Sequence, residues 1–174
     1  MVKFKYIWDE SKLNKWINRA RKHRLTIDFE NGFILDGYSI FKIGDELKKI
    51  LNTRYMITGS VTIMNGEITN NVNDLKKIFD GFCVEHEKSK QLLELTSYCR
   101  IMDKVTLSIL YSENLTLEIN KSFLEVVAKS FGVKFYGTGE TKPLAIEYDG
   151  EVIGFILPTR STSAFEIKKA AHIK

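Results

Sequence analysis

The stretch Leu115–Arg160 decides the predicted fold, and it reads LTLEINKSFLEVVAKSFGVKFYGTGETKPLAIEYDGEVIGFILPTR. Alternating apolar residues predict a strand over Leu115–Ile119. Apolar residues at helical spacing then predict a helix over Lys121–Phe131, which Gly132 ends. Three further strands are expected at 133–137, 144–148 and 152–157.

The same order of elements is predicted near the N-terminus. Phe4–Trp8 alternates as a strand does, and a helix capped by Asp9 or Ser11 runs to about His23. An Asn-Gly pair and an Asp-Gly pair, both typical of tight turns, separate three strands at 25–30, 33–36 and 38–43. The sequence therefore predicts an internal repeat of a strand–helix–three-strand unit, with copies at 2–43 and 104–160.

Residues 44–103 are predicted to form a helical insertion between the two units. Its expected helices are Asp45–Leu51, Asn73–Phe82 and Glu85–Cys99, and its expected strands are Tyr55–Met64 and Glu67–Thr69. A strand at Val105–Tyr111 follows the insertion. The prediction is a single α+β domain over 1–160, followed by a basic C-terminal tail at 161–174.

Length and composition are those of a globular protein, with 174 residues, 44% hydrophobic and 28% charged. The chain has no apolar run of transmembrane length, and its N-terminus lacks the pattern of a signal peptide. A cytoplasmic location without a membrane partner is therefore expected. Cys83 and Cys99 form no metal-ligand pattern, so both are predicted to be free thiols, and no metal or cofactor is expected.

The strongest charge feature lies between Lys12 and Arg24, where six Lys/Arg residues occur with no acid among them. Spacings of three and four residues place Lys12, Lys15, Arg19 and Lys22 on one helix face. One interpretation is a solvated helix face, since Lys and Arg are good surface helix formers. The other is contact with DNA or RNA phosphates, which the absence of mixed signs favours.

No catalytic motif is apparent. The chain has no G-x-S-x-G sequence, and Gly137-Thr138-Gly139 lacks the Lys-Ser/Thr and the helix of a phosphate-binding loop. The three histidines, His23, His86 and His172, are scattered along the sequence and are expected at the surface. The sequence predicts a non-enzymatic protein, with an enzyme whose site is built from distant residues as an open alternative.

Three short segments of the opening stretch carry a family resemblance. They are Asn120–Ala128 (NKSFLEVVA), Pro143–Ile146 (PLAI) and Phe155–Arg160 (FILPTR). With them, residues 115–160 resemble the C-terminal half of the last domain of bacterial DNA sliding clamps, the beta subunit of DNA polymerase III. A bacterial clamp subunit has three such domains, whereas this chain has material for one, and residues 70–103 match no clamp element.

The resemblance implies a DNA-clamp-like α+β domain whose helices present cations to DNA phosphates without reading sequence. The DNA-binding residues it predicts are Lys12, Lys15, Arg19, Lys22, Arg24, Lys121 and Lys129. It also implies an apolar groove near the C-terminus that binds short peptides of partner proteins. The predicted partner-binding residues are Leu157, Pro158 and Arg160.

Two functions are consistent with these features. The first is a non-enzymatic, sliding-clamp-like processivity factor or modulator of the replication machinery, which binds DNA and either copies of itself or a replication protein. The second is a protein-interaction module or inhibitor, encoded by a phage or mobile element, that binds a host replication or defence protein.

Overall fold

The computed structural model describes residues 8–70, 73–127 and 132–159. The expected strand at 4–8 lies outside this range apart from Trp8, and so do residues 128–131 and the tail at 161–174. The helix expected at Lys121–Phe131 is shorter than predicted, because among its described residues only Lys121–Leu124 is helical and residues 125–127 form a turn. In the described residues the protein is α+β, as predicted, with four helices and one eleven-stranded antiparallel sheet.

The four helices of the described residues are α1 (Glu10–His23), α2 (Asp45–Tyr55), α3 (Leu75–Ser89) and α4 (Lys121–Leu124). The first five strands are β1 (Arg24–Asp28), β2 (Phe33–Leu35), β3 (Ser39–Lys42), β4 (Val61–Met64) and β5 (Glu67–Thr69). The other six are β6 (Gln91–Met102), β7 (Val105–Tyr111), β8 (Thr116–Asn120), β9 (Val133–Gly137), β10 (Leu144–Tyr148) and β11 (Glu151–Ile156). Strands at β1, β2, β3, β5 and β7 to β11 were expected from the sequence within a residue or two.

The strand order is β5-β4-β1-β2-β3-β11-β10-β9-β6-β7-β8. Its centre is the antiparallel pair β3–β11, in which Ile40 lies opposite Phe155 and Phe41 opposite Gly154. Outward from this pair run β2 and β1 on one side and β10 and β9 on the other. Helix α1 directly precedes β1, and α4 is the helix before β9. The central six strands therefore form two groups of three that meet at the β3–β11 pair, and a helix precedes the first strand in chain order of each group.

The two faces of the sheet carry different helices. Helix α1 buries Leu13, Trp16, Ile17 and Ala20 in the larger core cluster, which also contains Phe123 and Leu124 of α4. Helices α1 and α4 are in direct contact, since Arg19 Nη1 donates to Ser122 Oγ at 2.9 Å. The Asp9 N–H, just before α1, also donates to the carbonyl of Val126, just after α4, at 2.9 Å. Helix α3 packs Leu75 and Phe79 against Ile40 and Phe155 on the opposite face, because successive strand residues point to opposite faces.

Two predicted elements in the middle of the chain are wrong. The helix expected at Glu85–Cys99 is wrong after Ser89, because residues 85–89 belong to α3 and β6 begins at Gln91. The strand expected at Tyr55–Met64 begins only at Val61, because Tyr55 is the last residue of α2 and Met56 closes that helix in the left-handed conformation (φ 56°). Residues 44–103 are thus not a helical insertion alone, since β4, β5 and β6 belong to the sheet.

Within the described part of the chain, no helix combines the length and apolarity needed to cross a bilayer.

Candidate nucleic-acid interface

Helix α1 presents its basic residues outward because of its apolar spacing. The side chain of Asp9 caps the helix by accepting the Lys12 N–H at 3.1 Å. The buried stripe that follows faces the sheet, so Lys15, Arg19 and Lys22 are exposed on the far side. Lys22 lies in the last turn, where a cation is also favoured by the helix dipole. Three of the four residues of the expected basic stripe therefore lie exposed on one surface.

Lys12 differs from the rest of the stripe because it is paired. Its Nζ lies 2.9 Å from Oε2 of Glu125, and both side chains are about one-third exposed. The pair joins the start of α1 to the residue after α4, so Lys12 contributes to the contact between these helices. Its charge is partly neutralised, and we expect it to contribute less to phosphate binding than Lys15 does.

The remaining predicted cations are exposed. No ion pair within the described residues involves Lys15, Lys22, Arg24 or Lys121. Arg24 begins β1 and does not belong to the helical stripe. Lys121 is the first residue of α4. Lys129, the other cation expected on that helix, lies outside the described residues.

Arg19 lies where α1 meets α4. Its Nη1 donates to Ser122 Oγ at 2.9 Å, and its guanidinium carbon lies 5.0 Å from the centroid of the Phe123 ring. The Tyr38 ring also stacks on Phe123, with centroids 6.1 Å apart and an interplanar angle of 23°. Sequence reasoning missed this arrangement, because residues 19, 38 and 123 share no spacing pattern and meet only through the fold.

The turn that carries Tyr38 is held by one carboxylate. Asp36 Oδ1 accepts the backbone N–H groups of Tyr38 at 3.0 Å and Ser39 at 2.8 Å, and also the Ser39 hydroxyl at 2.9 Å. Its Oδ2 accepts the indole N–H of Trp16 at 2.9 Å. The Tyr38 carbonyl in turn accepts the Leu157 N–H at 2.8 Å. The backbone of Tyr38 is therefore fixed on both sides.

An apolar groove of about 210 Å³ lies between α3 and the sheet, next to the predicted partner-binding residues. Leu157 lines the groove and is 41% exposed, and Pro158, which follows it, is half-buried. Arg160, the third predicted partner-binding residue, lies outside the described residues. The other residues that line the groove are Leu35, Gly37, Tyr38, Ser39, Ile40, Ile78, Phe82, Pro143 and Phe155.

A neighbouring cavity of about 270 Å³ contains His86, which is only 2% exposed and not at the surface as the sequence suggested. Neither ring nitrogen has a hydrogen-bond partner, and the nearest carboxylate oxygen, on Glu87, is 4.0 Å from Nε2. Burial is the main cause that lowers the pKa of His86, and Lys90 lowers it further against the opposing effect of Glu87 and Glu147. We therefore expect this imidazole to be neutral in the folded protein at neutral pH.

His86 should make stability fall with acid. Its folded-state pKa is depressed, so below the ordinary His pKa of about 6.5 the unfolded chain binds the proton more readily. The contribution of His86 to the free energy of unfolding is fully present above about pH 6.5. It is lost as the pH falls towards the folded-state pKa of His86, by at most about 1.4 kcal/mol per pH unit. Urea unfolding of wild type and His86→Phe between about pH 8 and 5 measures this, with a shallower decline expected for the variant. Equal declines would contradict the prediction.

The described residues contain no group of three or more His, Cys, Asp or Glu side chains that could hold a metal ion. No protein-family model, curated protein or solved structure matches the chain. The resemblance to sliding clamps therefore rests on the short segments of residues 115–160 quoted above.

Proposed function

We propose that this protein is a non-enzymatic, sliding-clamp-like DNA-binding protein of the replication machinery, acting in the cytoplasm as a processivity factor or modulator. The observation that carries the proposal is the exposed stripe Lys15, Arg19 and Lys22 on α1. A further exposed cation, Lys121, precedes Ser122 of α4, which Arg19 contacts. Within the described residues these cations form no ion pairs with acids, so they are available to bind the phosphates of a nucleic-acid backbone. Phosphate contacts give binding without sequence preference.

The arrangement of elements also supports this proposal. The two helix–three-strand groups meet at β3–β11, and α1 and α4 lie in contact on one face of the sheet, since Arg19 Nη1 donates to Ser122 Oγ at 2.9 Å. The resemblance to clamps implies that such helices line the surface facing DNA. One domain of this size cannot encircle a duplex, so a clamp role requires further copies of the chain or association with a replication protein.

The first experiment compares duplex DNA binding by wild type, Lys15→Glu/Lys22→Glu and Lys77→Glu/Lys104→Glu. All four lysines are exposed, and both double variants change the net charge equally. We expect the stripe variant to bind at least about tenfold more weakly at low salt, because each reversed lysine removes a phosphate contact. The slope of log affinity against log salt should fall by about two, one for each contact.

The control pair lies on α3 and at the β6–β7 turn, so it separates a local effect from net charge. Equal loss in both variants would assign binding to overall charge and exclude the stripe as the interface. A flat salt dependence in wild type, with equal affinity in all three proteins, would contradict DNA binding by phosphate contact.

A second candidate function is a protein-interaction module, such as an inhibitor encoded by a phage or mobile element that binds a host replication or defence protein. It is favoured by the apolar groove beside Leu157 and Pro158, which is lined by residues of α3, of the sheet and by Tyr38. Solution mass and DNA binding together separate the candidates. A closed oligomer that binds DNA supports the clamp, whereas a stable monomer that ignores DNA and binds a host protein supports the inhibitor.

A further inference from the structure

Tyr38 is an exposed aromatic residue with an unusually constrained setting. The residue is 64% exposed, yet both of its backbone hydrogen-bonding groups are engaged by other parts of the fold. One contact comes from Asp36 in its own turn, and the other comes from Leu157 at the end of β11. Single exposed tyrosines are common on protein surfaces. A tyrosine whose backbone is already fixed loses less conformational entropy when it binds a ligand.

The ring of Tyr38 also packs against another aromatic side chain. It stacks nearly parallel on Phe123, which is buried, and the Arg19 guanidinium lies over the same Phe123 ring at 5.0 Å. Arg19 is the middle member of the stripe, with Lys15 one turn before it and Lys22 one turn after it. At 1.5 Å per residue, Lys15 and Lys22 are separated by about 10 Å along the helix axis. Tyr38 and Arg19 therefore contact the same Phe123 ring, and the two exposed lysines lie one turn from Arg19 along α1.

The acids near this surface are already engaged. Asp36 accepts four hydrogen bonds from Trp16, Tyr38 and Ser39. Glu125 is paired with Lys12. The surface therefore combines a preformed aromatic platform with positive charge, which is the combination that binds single-stranded nucleic acid: cations follow the backbone and aromatic rings stack on unpaired bases.

We propose that Tyr38 stacks on an unpaired base of a single nucleic-acid strand whose phosphates are bound by Lys15, Arg19 and Lys22. This inference rests on the proposed DNA-binding function and specifies its ligand as single-stranded segments, or the single-stranded side of a junction. In a continuous duplex both faces of each base are covered by its neighbours, so Tyr38 adds nothing to duplex binding. Base stacking of this kind does not depend on sequence.

The test measures anisotropy of labelled oligothymidylate, an abasic strand of the same length, and a duplex, with wild type, Tyr38→Ala and Tyr38→Phe. The abasic strand keeps the phosphates but has no bases to stack. We expect Tyr38→Ala to weaken binding of oligothymidylate about tenfold and to leave the abasic strand and the duplex unchanged. Tyr38→Phe keeps the ring and should bind as wild type does. An oligouridylate arm shows whether RNA is bound equally well.

The outcomes separate the inference from the proposed function. If Lys15→Glu/Lys22→Glu weakens binding of all three ligands while Tyr38→Ala weakens binding of none, phosphate binding by the stripe is supported and the stacking inference is overturned. An equal loss on the abasic strand and on oligothymidylate would also overturn it, since the effect would not involve bases. If wild type binds no nucleic acid, the inference and the proposed function both fail. A melting temperature equal to that of wild type confirms that Tyr38→Ala is folded.

Discussion

A Gly154→Val variant is expected to be unfolded or severely destabilised. Gly154 lies in β11 opposite Phe41 of β3, and a Cβ at this position would lie 2.4 Å from Cδ1 of Phe41 and 3.0 Å from the Ile40 carbonyl oxygen. Phe41 cannot move aside, because it is fully buried and the rings of Trp8 and Trp16 pack on it edge-on at 5.5 and 5.6 Å. Overpacking a tight core costs typically about 1–3 kcal/mol. Two further methyl groups at a strand pairing should cost more than about 4 kcal/mol.

Gly81→Ala is the matched control for this substitution. Gly81 lies in α3, and a Cβ there would meet nothing within 4 Å. Alanine should therefore stabilise this helix by about 0.5–1 kcal/mol. Urea unfolding followed by far-UV circular dichroism and tryptophan fluorescence gives both values. Wild-type stability in Gly154→Val would contradict the close β3–β11 pairing on which the central part of the sheet depends.

The elements that sequence reasoning predicted well are those in which local signals agree. In α1 a capping Asp9 precedes apolar residues at helical spacing, and in the hairpin β10–β11 Asp149 and Gly150 both adopt the positive φ that their turn requires. Local chemistry and tertiary packing favour the same structure at these positions. Short-range patterns are therefore sufficient to predict them.

Strand β6 was predicted wrongly because its pairing overrides its local pattern. Leu92, Leu93 and Leu95 suggested the apolar surface of a helix, but Leu92 and Leu95 are exposed and only Leu93 of the three is buried. A register shift between Leu95 and Cys99 interrupts the alternation that normally identifies a strand. The strand is defined by pairing with β9 at its start and with β7 along its length, and such contacts cannot be inferred from periodicity.

The candidate site also has features that the sequence predicted and features that it did not. Helical spacing was enough to place Lys15, Arg19 and Lys22 on one exposed face. It gave no sign that Lys12 would pair with Glu125, more than a hundred residues away, or that Tyr38 would meet Phe123. These contacts depend on the side-by-side packing of α1 and α4, so only the tertiary structure shows which part of a basic stripe remains available to a ligand.

Trp16→Ala is expected to lower the free energy of unfolding by about 3–5 kcal/mol. Trp16 is only 2% exposed and contacts Phe41 edge-on at 5.6 Å, so truncation removes a large buried surface at the centre of the main core. It also removes the indole N–H that donates to Asp36 at 2.9 Å. The loss combines apolar packing with a hydrogen bond to a half-buried carboxylate, and urea unfolding measures the sum.

Trp16→Phe separates the two contributions, because it keeps an aromatic ring in the core but has no N–H for Asp36. A double-mutant cycle of Trp16→Phe with Asp36→Ala isolates the hydrogen bond from the packing. We expect a coupling energy of about 1.5 kcal/mol or more, since the acceptor is charged. Additive effects would mean that only Tyr38 and Ser39 stabilise the position of Asp36. Strong coupling would mean that the hydrogen bond from Trp16 also stabilises the turn that contains Tyr38.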